Sequence, residues 1–487
     1  MDRIKKQDLM KRVLIIVICL LVIWPFLLRS YPAYAIDVLP EDPMTFSQDP
    51  NRETNRKLTA RVSSNGQGYL CIWEEQTKET GYDIFGKIVD KSGTLQGKII
   101  TISEFTGNQK EPDIDSDGSK YLIVWSDDRD PNSTDFDIYG ALISADGKIL
   151  NEIPIPIETG PGNLKLPRVK WNEHMQYYLV AWEDWKEHTA TDPKVSIYGK
   201  RVNPDGQVLD QEPEEITVDY AYNKVGNRSC FDLASLDDPN TASWLVMWSG
   251  SFYDPSLSGL DILGKMLYED PNGDLFSPSP IQIPIPTTNQ YYPSVEGMNN
   301  RFLVVWENWT DTEGTDKNII GVMLGPGGNI LSNLINICSA PNYQTLPEVS
   351  TNGQGFFALW LDQRNAGTDL YGLRISPSGL MLSDDPNTAN GTRISTNSNQ
   401  MPRSFSVASA GSGDDRYFCF WSASEGTVWT LNGRIYDPPP PPELYWTGLP
   451  GYEEDGVDPN TAIGGSPFTF KVEYVSPEMI NEAPEKA

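Results

Sequence analysis

A five-residue apolar run ending in tryptophan occurs seven times in this chain: YLCIW at 69–73, YLIVW at 121–125, YLVAW at 178–182, WLVMW at 244–248, FLVVW at 302–306, FFALW at 356–360 and YFCFW at 417–421. The tryptophans are 52, 57, 66, 58, 54 and 61 residues apart. A second signature follows each, closing on a glycine 12 to 17 residues after the tryptophan: DIFG at 83–86, DIYG at 137–140, SIYG at 196–199, DILG at 261–264, NIIG at 318–321, DLYG at 369–372 and TLNG at 430–433. Two signatures in fixed order seven times mean internal duplication, and duplication at this period restricts the fold to a repeat architecture.

Each repeat reads as four short strands. The first begins near a proline in several copies, as in Pro112-Asp113-Ile114, Pro167-Arg168-Val169, Pro293-Ser294-Val295 and Pro347-Glu348-Val349, and proline is tolerated at a strand's first residue. A turn such as Ser64-Asn65-Gly66 or Asp117-Gly118 leads to the tryptophan run. That run is apolar at consecutive positions, which requires burial on both faces. The third strand carries the glycine signature, a tight turn such as Asp146-Gly147 follows, and the fourth is β-branched, as in KIITIS at 98–103. Long amphipathic helical patterns are absent from the repeats. Four strands per repeat and seven repeats predict an all-β, seven-bladed β-propeller of four-stranded antiparallel blades over 36–436, with a sandwich or solenoid as the structural alternative.

The ends decide for the ring. The seventh repeat lacks a fourth strand, because Arg434-Ile435-Tyr436 runs into Asp437 and five prolines, 438–442, which cannot join a ladder. Met44-Thr45-Phe46-Ser47 precedes the first repeat and matches Ile100-Thr101-Ile102-Ser103 in pattern. Residues 44–47 are therefore expected to be the missing outer strand of the last blade.

Residues 1–35 read as a signal peptide: Arg3, Lys5, Lys6, Lys11 and Arg12, then the apolar run 13–28, then Ala33-Tyr34-Ala35. An uncleaved anchor is the alternative. The chain is strongly acidic, with a net charge of −29, which disfavours nucleic acid as a partner. The four cysteines beyond the leader, Cys71, Cys230, Cys338 and Cys419, are far apart. They read as small core residues, with a Cys71–Cys419 bridge between first and last blades as the alternative. With only two histidines, His174 and His188, neither a Ser-His-Asp triad nor a histidine zinc site is expected.

The motifs Trp125-Ser-Asp-Asp-Arg129 with Asp137-Ile-Tyr139, and Trp360-Leu-Asp-Gln-Arg364 with Asp369-Leu-Tyr371, resemble those of secreted bacterial propellers of the broad TolB-like and sialidase-like superfolds. The resemblance implies architecture. It does not imply sialidase activity, since Ser116-Asp117-Gly118 and Ser64-Asn65-Gly66 are out of place for the sialidase box and no R-I-P motif occurs. Residues 437–443 read as a polyproline linker. The segment 444–487, with LYWTG at 444–448 and PFTFKVEY at 467–474, resembles the opening of an Ig-like module of bacterial surface proteins. It is expected to be a partial module or a disordered tail.

Candidate functional residues follow from chemistry. Trp185 and Trp309 each sit three residues after a repeat tryptophan and are candidate ligand-binding aromatics. Asp127, Asp130, Asp135 and Asp137 crowd one hairpin and are candidate calcium ligands; the alternative is a solvated acidic loop. The recurring Glu75, Asp127, Asp184, Asn308 and Asp362, and the recurring Asp83, Asp137, Asp261, Asn318 and Asp369, read as hairpin clamps that accept turn N–H groups. No catalytic residues stand out. The expectation is a monomeric, non-catalytic, secreted or cell-surface propeller that binds an extracellular glycan or protein, with no membrane span after leader cleavage. Calcium is the one candidate cofactor. The alternative is a carbohydrate-active enzyme with paired carboxylates at the mouth of the central channel.

Overall fold

The computed structural model describes residues 44–46 and 55–438, apart from 133–134, 187–193, 218–220, 223–229, 237–241, 251–259, 271, 278–279, 284–288, 312–313, 315, 366, 383–389 and 396–399, together with four short strands in 443–475. Residues 1–35, expected to be a signal peptide, lie outside the described residues, as does most of the proline run. Among the described residues every regular element is a β-strand.

The seven blades stand where the repeats place them. Blade 1 is Lys57–Ser64, Gly68–Gln76, Tyr82–Asp90 and Leu95–Ser103. Blade 2 is Gln109–Ser116, Lys120–Asp127, Asp137–Ser144 and Ile155–Glu158. Blade 3 is Leu164–Asn172, Tyr177–Asp184, Lys194–Val202 and Glu214–Glu215. Blade 4 is Phe231–Leu236, Ser243–Gly250, Asp261–Glu269 and Ile281–Ile283. Blade 5 is Gln290–Met298, Arg301–Trp309, Lys317–Leu324 and Ile335–Cys338. Blade 6 is Gln344–Thr351, Phe356–Asp362, Asp369–Ile375 and Thr392–Arg393. Blade 7 is Met401–Ser409, Tyr417–Glu425 and Val428–Tyr436, completed by Met44–Thr45. Neighbouring strands pair antiparallel within every blade. One extra link joins blades 3 and 4, where Ala221–Tyr222 bridges their sheets.

The consecutive apolar positions of the second strands do face two ways. Seven apolar clusters among the described residues fill the seven gaps between blades, and each draws alternate residues from facing second strands. Leu70 and Ile72 of blade 1 meet Tyr121, Ile123 and Trp125 of blade 2, while Leu122 and Val124 turn the other way to meet Tyr178, Val180 and Trp182 of blade 3. The same alternation runs on around the ring. Cys71 belongs to the gap facing blade 7 and Cys419 to the gap facing blade 6, so the first-to-last bridge does not form; all four described cysteines are free and buried. The signature glycines are sites of close approach: a Cβ on Gly372 would lie 2.2 Å from Phe357 Cζ, and one on Gly433 2.9 Å from Phe46 Cε2.

The expected closure is present. Met44 pairs with Gly433 and Thr45 with Asn432, and the Phe46 amide donates to the Leu431 carbonyl at 3.0 Å. Phe46 is buried and its ring lies 4.8 Å from that of Phe420, in the cluster that joins blades 7 and 1. Further on, Glu443–Trp446 pairs with Val472–Val475, and Val457–Asp458 with Thr469–Phe470.

Truncating Phe46 opens a cavity at the seam. Phe46→Ala is expected to destabilise the ring by about 3–5 kcal/mol, read as a lowered thermal midpoint; an unchanged midpoint would contradict closure by this strand.

Candidate functional site

The inner strands surround a cavity of about 1010 Å³ lined by residues of all seven blades. How side chains reach it follows from a local distortion repeated around the ring. In blades 1, 2, 3, 5 and 6 the inner strand slips register by one residue against its neighbour, between Leu58 and Arg61, Lys110 and Asp113, Lys165 and Arg168, Tyr291 and Ser294, and Thr345 and Glu348. The bulge residue has positive φ each time: Thr59 at 47°, Glu111 at 57°, Leu166 at 54°, Tyr292 at 51° and Leu346 at 55°. Such backbone is strained for non-glycine residues, and a β-bulge re-aims the side chain that follows it. In four of these blades a proline comes next, which needs no ladder partner. The residue after it, Asp113, Arg168, Ser294 or Glu348, lines the cavity, as does Arg61 in blade 1.

These residues do not sit as free charges. Arg61 Nη1 reaches Glu348 Oε1 at 2.9 Å and the Phe405 carbonyl at 3.1 Å, and its Nε lies 3.3 Å from Asp113 Oδ1. One guanidinium therefore ties blades 1, 2, 6 and 7. Asp113 Oδ2 accepts the Val169 amide at 2.9 Å, and Asp115 Oδ2 the Trp171 amide at 2.8 Å. Asp232 Oδ2 accepts the Val295 amide and the Ser294 hydroxyl, each at 3.0 Å, and lies on the same carboxylate as the oxygen 3.8 Å from Arg168 Nε. Ser294 Oγ accepts the Val349 amide at 3.2 Å, and Ser404 Oγ the Ala60 amide at 2.9 Å. Lys170 Nζ spans to Glu296 Oε2 at 2.8 Å. In each of the amide bonds the side chain of one blade caps an inner-strand N–H of the next.

A second set of such bonds starts one residue after the repeat tryptophan. Glu74 Oε2 accepts the Glu111 amide at 2.6 Å, Ser126 Oγ the Leu166 amide at 3.1 Å, and Glu183 Oε1 the Cys230 amide at 2.8 Å. Glu74 is buried, and burial pushes its carboxyl up to about 7 against the pull of the Glu111 amide and Lys110. Burial likewise raises Asp113, opposed by Arg168 and Arg61. For Arg61 burial works to lower the pKa, but Glu348, Asp113 and Asp232 outweigh it and the net shift is upward.

The candidates from sequence are spread around the hairpins rather than gathered. Trp185 is only 9% exposed; its Nε1 donates to Glu183 at 2.8 Å and Lys165 Nζ stands 4.9 Å over its ring. Trp309 is half-buried, its Nε1 on Glu307 at 2.7 Å, with Lys317 Nζ 4.9 Å over the ring and Tyr291 beside it at 4.9 Å. Both indoles are thus tied through their N–H groups to a carboxylate of their own hairpin. Asp127 faces inward, taking the Trp125 indole N–H at 2.8 Å and the Arg129 amide and Nε at 3.0 and 2.8 Å. Asp130 accepts its own loop's Asn132 amide at 2.9 Å, Asp135 is exposed, and Asp137 accepts the Gly160 amide at 3.3 Å. The structure does not bring these four together: among the described residues no group of three or more His, Cys, Asp or Glu is placed to hold a metal ion.

The clamp reading of the recurring carboxylates fits the geometry. Asp127, Asp184 and Asp362 accept the amides of Arg129, Lys186 and Arg364 at 3.0, 2.9 and 2.8 Å. Glu75, Asp127 and Asp362 also accept the repeat tryptophan's indole N–H, at 3.1, 2.8 and 2.9 Å. In both WxDxR hairpins the arginine stacks on the signature tyrosine, 4.2 Å for Arg129 on Tyr139 and 3.9 Å for Arg364 on Tyr371. The channel residues were not singled out from sequence. Their signal was the residue after each inner-strand proline, visible in the triplets but without the bulge that aims it.

No family model matches this chain. No curated protein matches it either. Among solved structures it is similar to the β-propeller domain of the Trilobed protease from Pyrococcus furiosus, at 11% identity and a TM-score of 0.44 over 80% of this chain and 99% of that one. It is similar to Pyrococcus horikoshii acylaminoacyl peptidase, at 11% identity and 0.42, over 82% of this chain and 57% of that one. A subtype N10 neuraminidase-like protein of A/little yellow-shouldered bat matches at 9% identity and 0.38, over 81% and 98% of the two chains. These likenesses concern the fold alone.

Two measurements check the channel. Arg61→Met leaves Asp113 and Glu348 part-buried without their shared cation, and is expected to cost roughly 3 kcal/mol in chemical denaturation; a cost near zero would mean the guanidinium is not a tie. Glu74 behaves oppositely to a salt-bridged carboxylate. Its folded pKa of about 7 exceeds the ordinary 4.5, so the folded chain holds a proton that the unfolded chain has lost. Its contribution is present below about 4.5 and is lost as pH rises towards 7, up to about 3 kcal/mol. Denaturation midpoints should fall from pH 5 to 7.5, and Glu74→Gln should flatten that slope; an identical slope in both proteins would sink the assignment.

Proposed function

We propose that this chain is a non-catalytic extracellular binding or scaffold propeller, exported through its N-terminal segment and meeting a glycan or protein partner at the mouth of the central channel. The observation that carries the reading is the state of the axial carboxylates. Asp113, Asp115, Asp232, Glu296 and Glu348 are each committed to another blade's amide, hydroxyl or cation. A catalytic carboxylate must exchange protons with, or attack, a substrate; groups spent on holding blades together are poorly placed for that. A rigid ring with a polar cavity is suited to presenting a fixed surface, and a preorganised surface lowers the entropic cost of binding.

One observation favours the enzymatic alternative. Glu74 and Glu111 both line the cavity, and burial pushes Glu74 up to about 7, into the range of a general acid. Against it, Glu74 makes the same cross-blade amide bond as Glu183 two blades on, and Glu111 accepts the Leu166 amide at 3.0 Å and the Ser126 hydroxyl at 2.9 Å. Recurrence at equivalent positions marks a structural device, so the binding reading is preferred.

The purified chain, screened in parallel on a glycan array and against glycosidase substrates, should show saturable binding without turnover. Hydrolysis that disappears in Glu74→Gln or Glu111→Gln would replace this reading with the enzymatic one.

A further inference from the structure

The chain carries 67 acidic against 38 basic residues, so a basic residue left without a carboxylate needs a reason. Two such residues line the cavity at its 7–1–2 sector. Arg56 stands 5.8 Å over the Trp429 ring, and Lys110 Nζ 4.4 Å over the Tyr82 ring. Among the described residues neither has a carboxylate within ion-pair distance, and all four side chains line the one cavity. Arg56 is exposed, and Lys110, Tyr82 and Trp429 are half-buried.

Two cavity carboxylates of this sector are bonded elsewhere. Glu74 is directed to the Glu111 amide, and Glu111 to the Leu166 amide and the Ser126 hydroxyl. A cation resting on an aromatic face keeps its remaining N–H groups for a ligand. The wall beyond adds the hydroxyls of Ser350 and Ser406 on blades 6 and 7, beside Glu348 and Glu296, which are ion-paired to Arg61 and Lys170. Cations for an anionic group, ring edges for an apolar face and hydroxyls for hydroxyls together make a complementary surface for one chemistry.

Resting on the reading of the mouth as a binding site, we propose that this sector binds an acidic saccharide, its carboxylate held by Arg56 and Lys110 and its sugar ring against Trp429 and Tyr82. The size of the cavity admits a sugar of a few residues, and the serine wall supplies neutral hydrogen-bond partners that a purely electrostatic anion site would not need.

The test titrates the full chain with trigalacturonate and with neutral maltotriose by calorimetry, at low and at high salt. The expected result is binding of trigalacturonate that weakens roughly 10-fold in Arg56→Gln and again in Lys110→Gln. The parent protein's affinity should also fall as salt rises, a readout that needs no variant. Binding of maltotriose as tight as trigalacturonate, or salt-independent binding untouched by both substitutions, would overturn the acidic ligand while leaving the mouth as a binding site. Absence of binding to either sugar, with saturable binding of a different partner lost in Trp429→Ala, would also overturn it and keep the mouth reading. Absence of both would overturn the two together.

Discussion

Each blade begins with a strand whose outer side faces no other strand. Seven such edges converge on the axis, and every one presents backbone N–H groups to a polar cavity instead of to a ladder. Unpaired edge amides are costly when shielded from water and prone to errant pairing when not. The structure answers with side chains of the neighbouring blade: Asp113 on Val169, Asp115 on Trp171, Asp232 on Val295, Ser294 on Val349 and Ser404 on Ala60. The rest of the inner architecture can be read as what this solution requires. The bulges at Thr59, Glu111, Leu166, Tyr292 and Leu346 bring the residue two positions on to the cavity wall, and the strain they hold is borne by a ring that fixes both ends of each strand.

The same solution shapes the chemistry. Most of the carboxylates and cations of the channel serve as ties between blades, and Arg61 alone reaches three other blades. Charge that would otherwise suggest a reaction centre is used for rigidity. Among the described residues Arg56 and Lys110 are left over, resting on aromatic rings without a carboxylate within ion-pair distance. The hairpins show the same economy in a drier setting: the indole N–H of Trp73, Trp125 or Trp360 is satisfied by a carboxylate two residues on. In blades 3 and 5 the carboxylate moves one position, to Glu183 and Glu307, and the donor becomes Trp185 or Trp309.

The ring was legible because its cause is local. Burial on both faces writes consecutive apolar residues into every second strand, and alternate residues do fill successive gaps between blades. Closure by residues 44–46 was legible from a missing strand at one end and a matching pattern at the other. The channel was not. Its residues are separated by whole repeats, and in a chain with 67 acidic residues no single aspartate stands out. Only the bulge reveals that the residue after the proline points inward. Exposure at the second tryptophans was not legible either: Glu183 draws Trp185 in, while Trp309 at the matching hairpin position stays half-buried. Asp127, Asp130, Asp135 and Asp137 are close in sequence, but the strand's alternation and the turn send Asp127, Asp130 and Asp137 to different partners.

Amide hydrogen exchange resolved to single residues measures the axial capping directly. The account predicts that the amides of Val169, Trp171, Val295 and Val349, which lie on inner edges without a strand partner on the channel side, exchange as slowly as the ladder amides of the second strands, with opening free energies near the global value. Exchange at these four amides as fast as that of exposed turn residues such as Ser119 would show that the neighbouring blade's side chains do not hold them, and the axial network would lose its role.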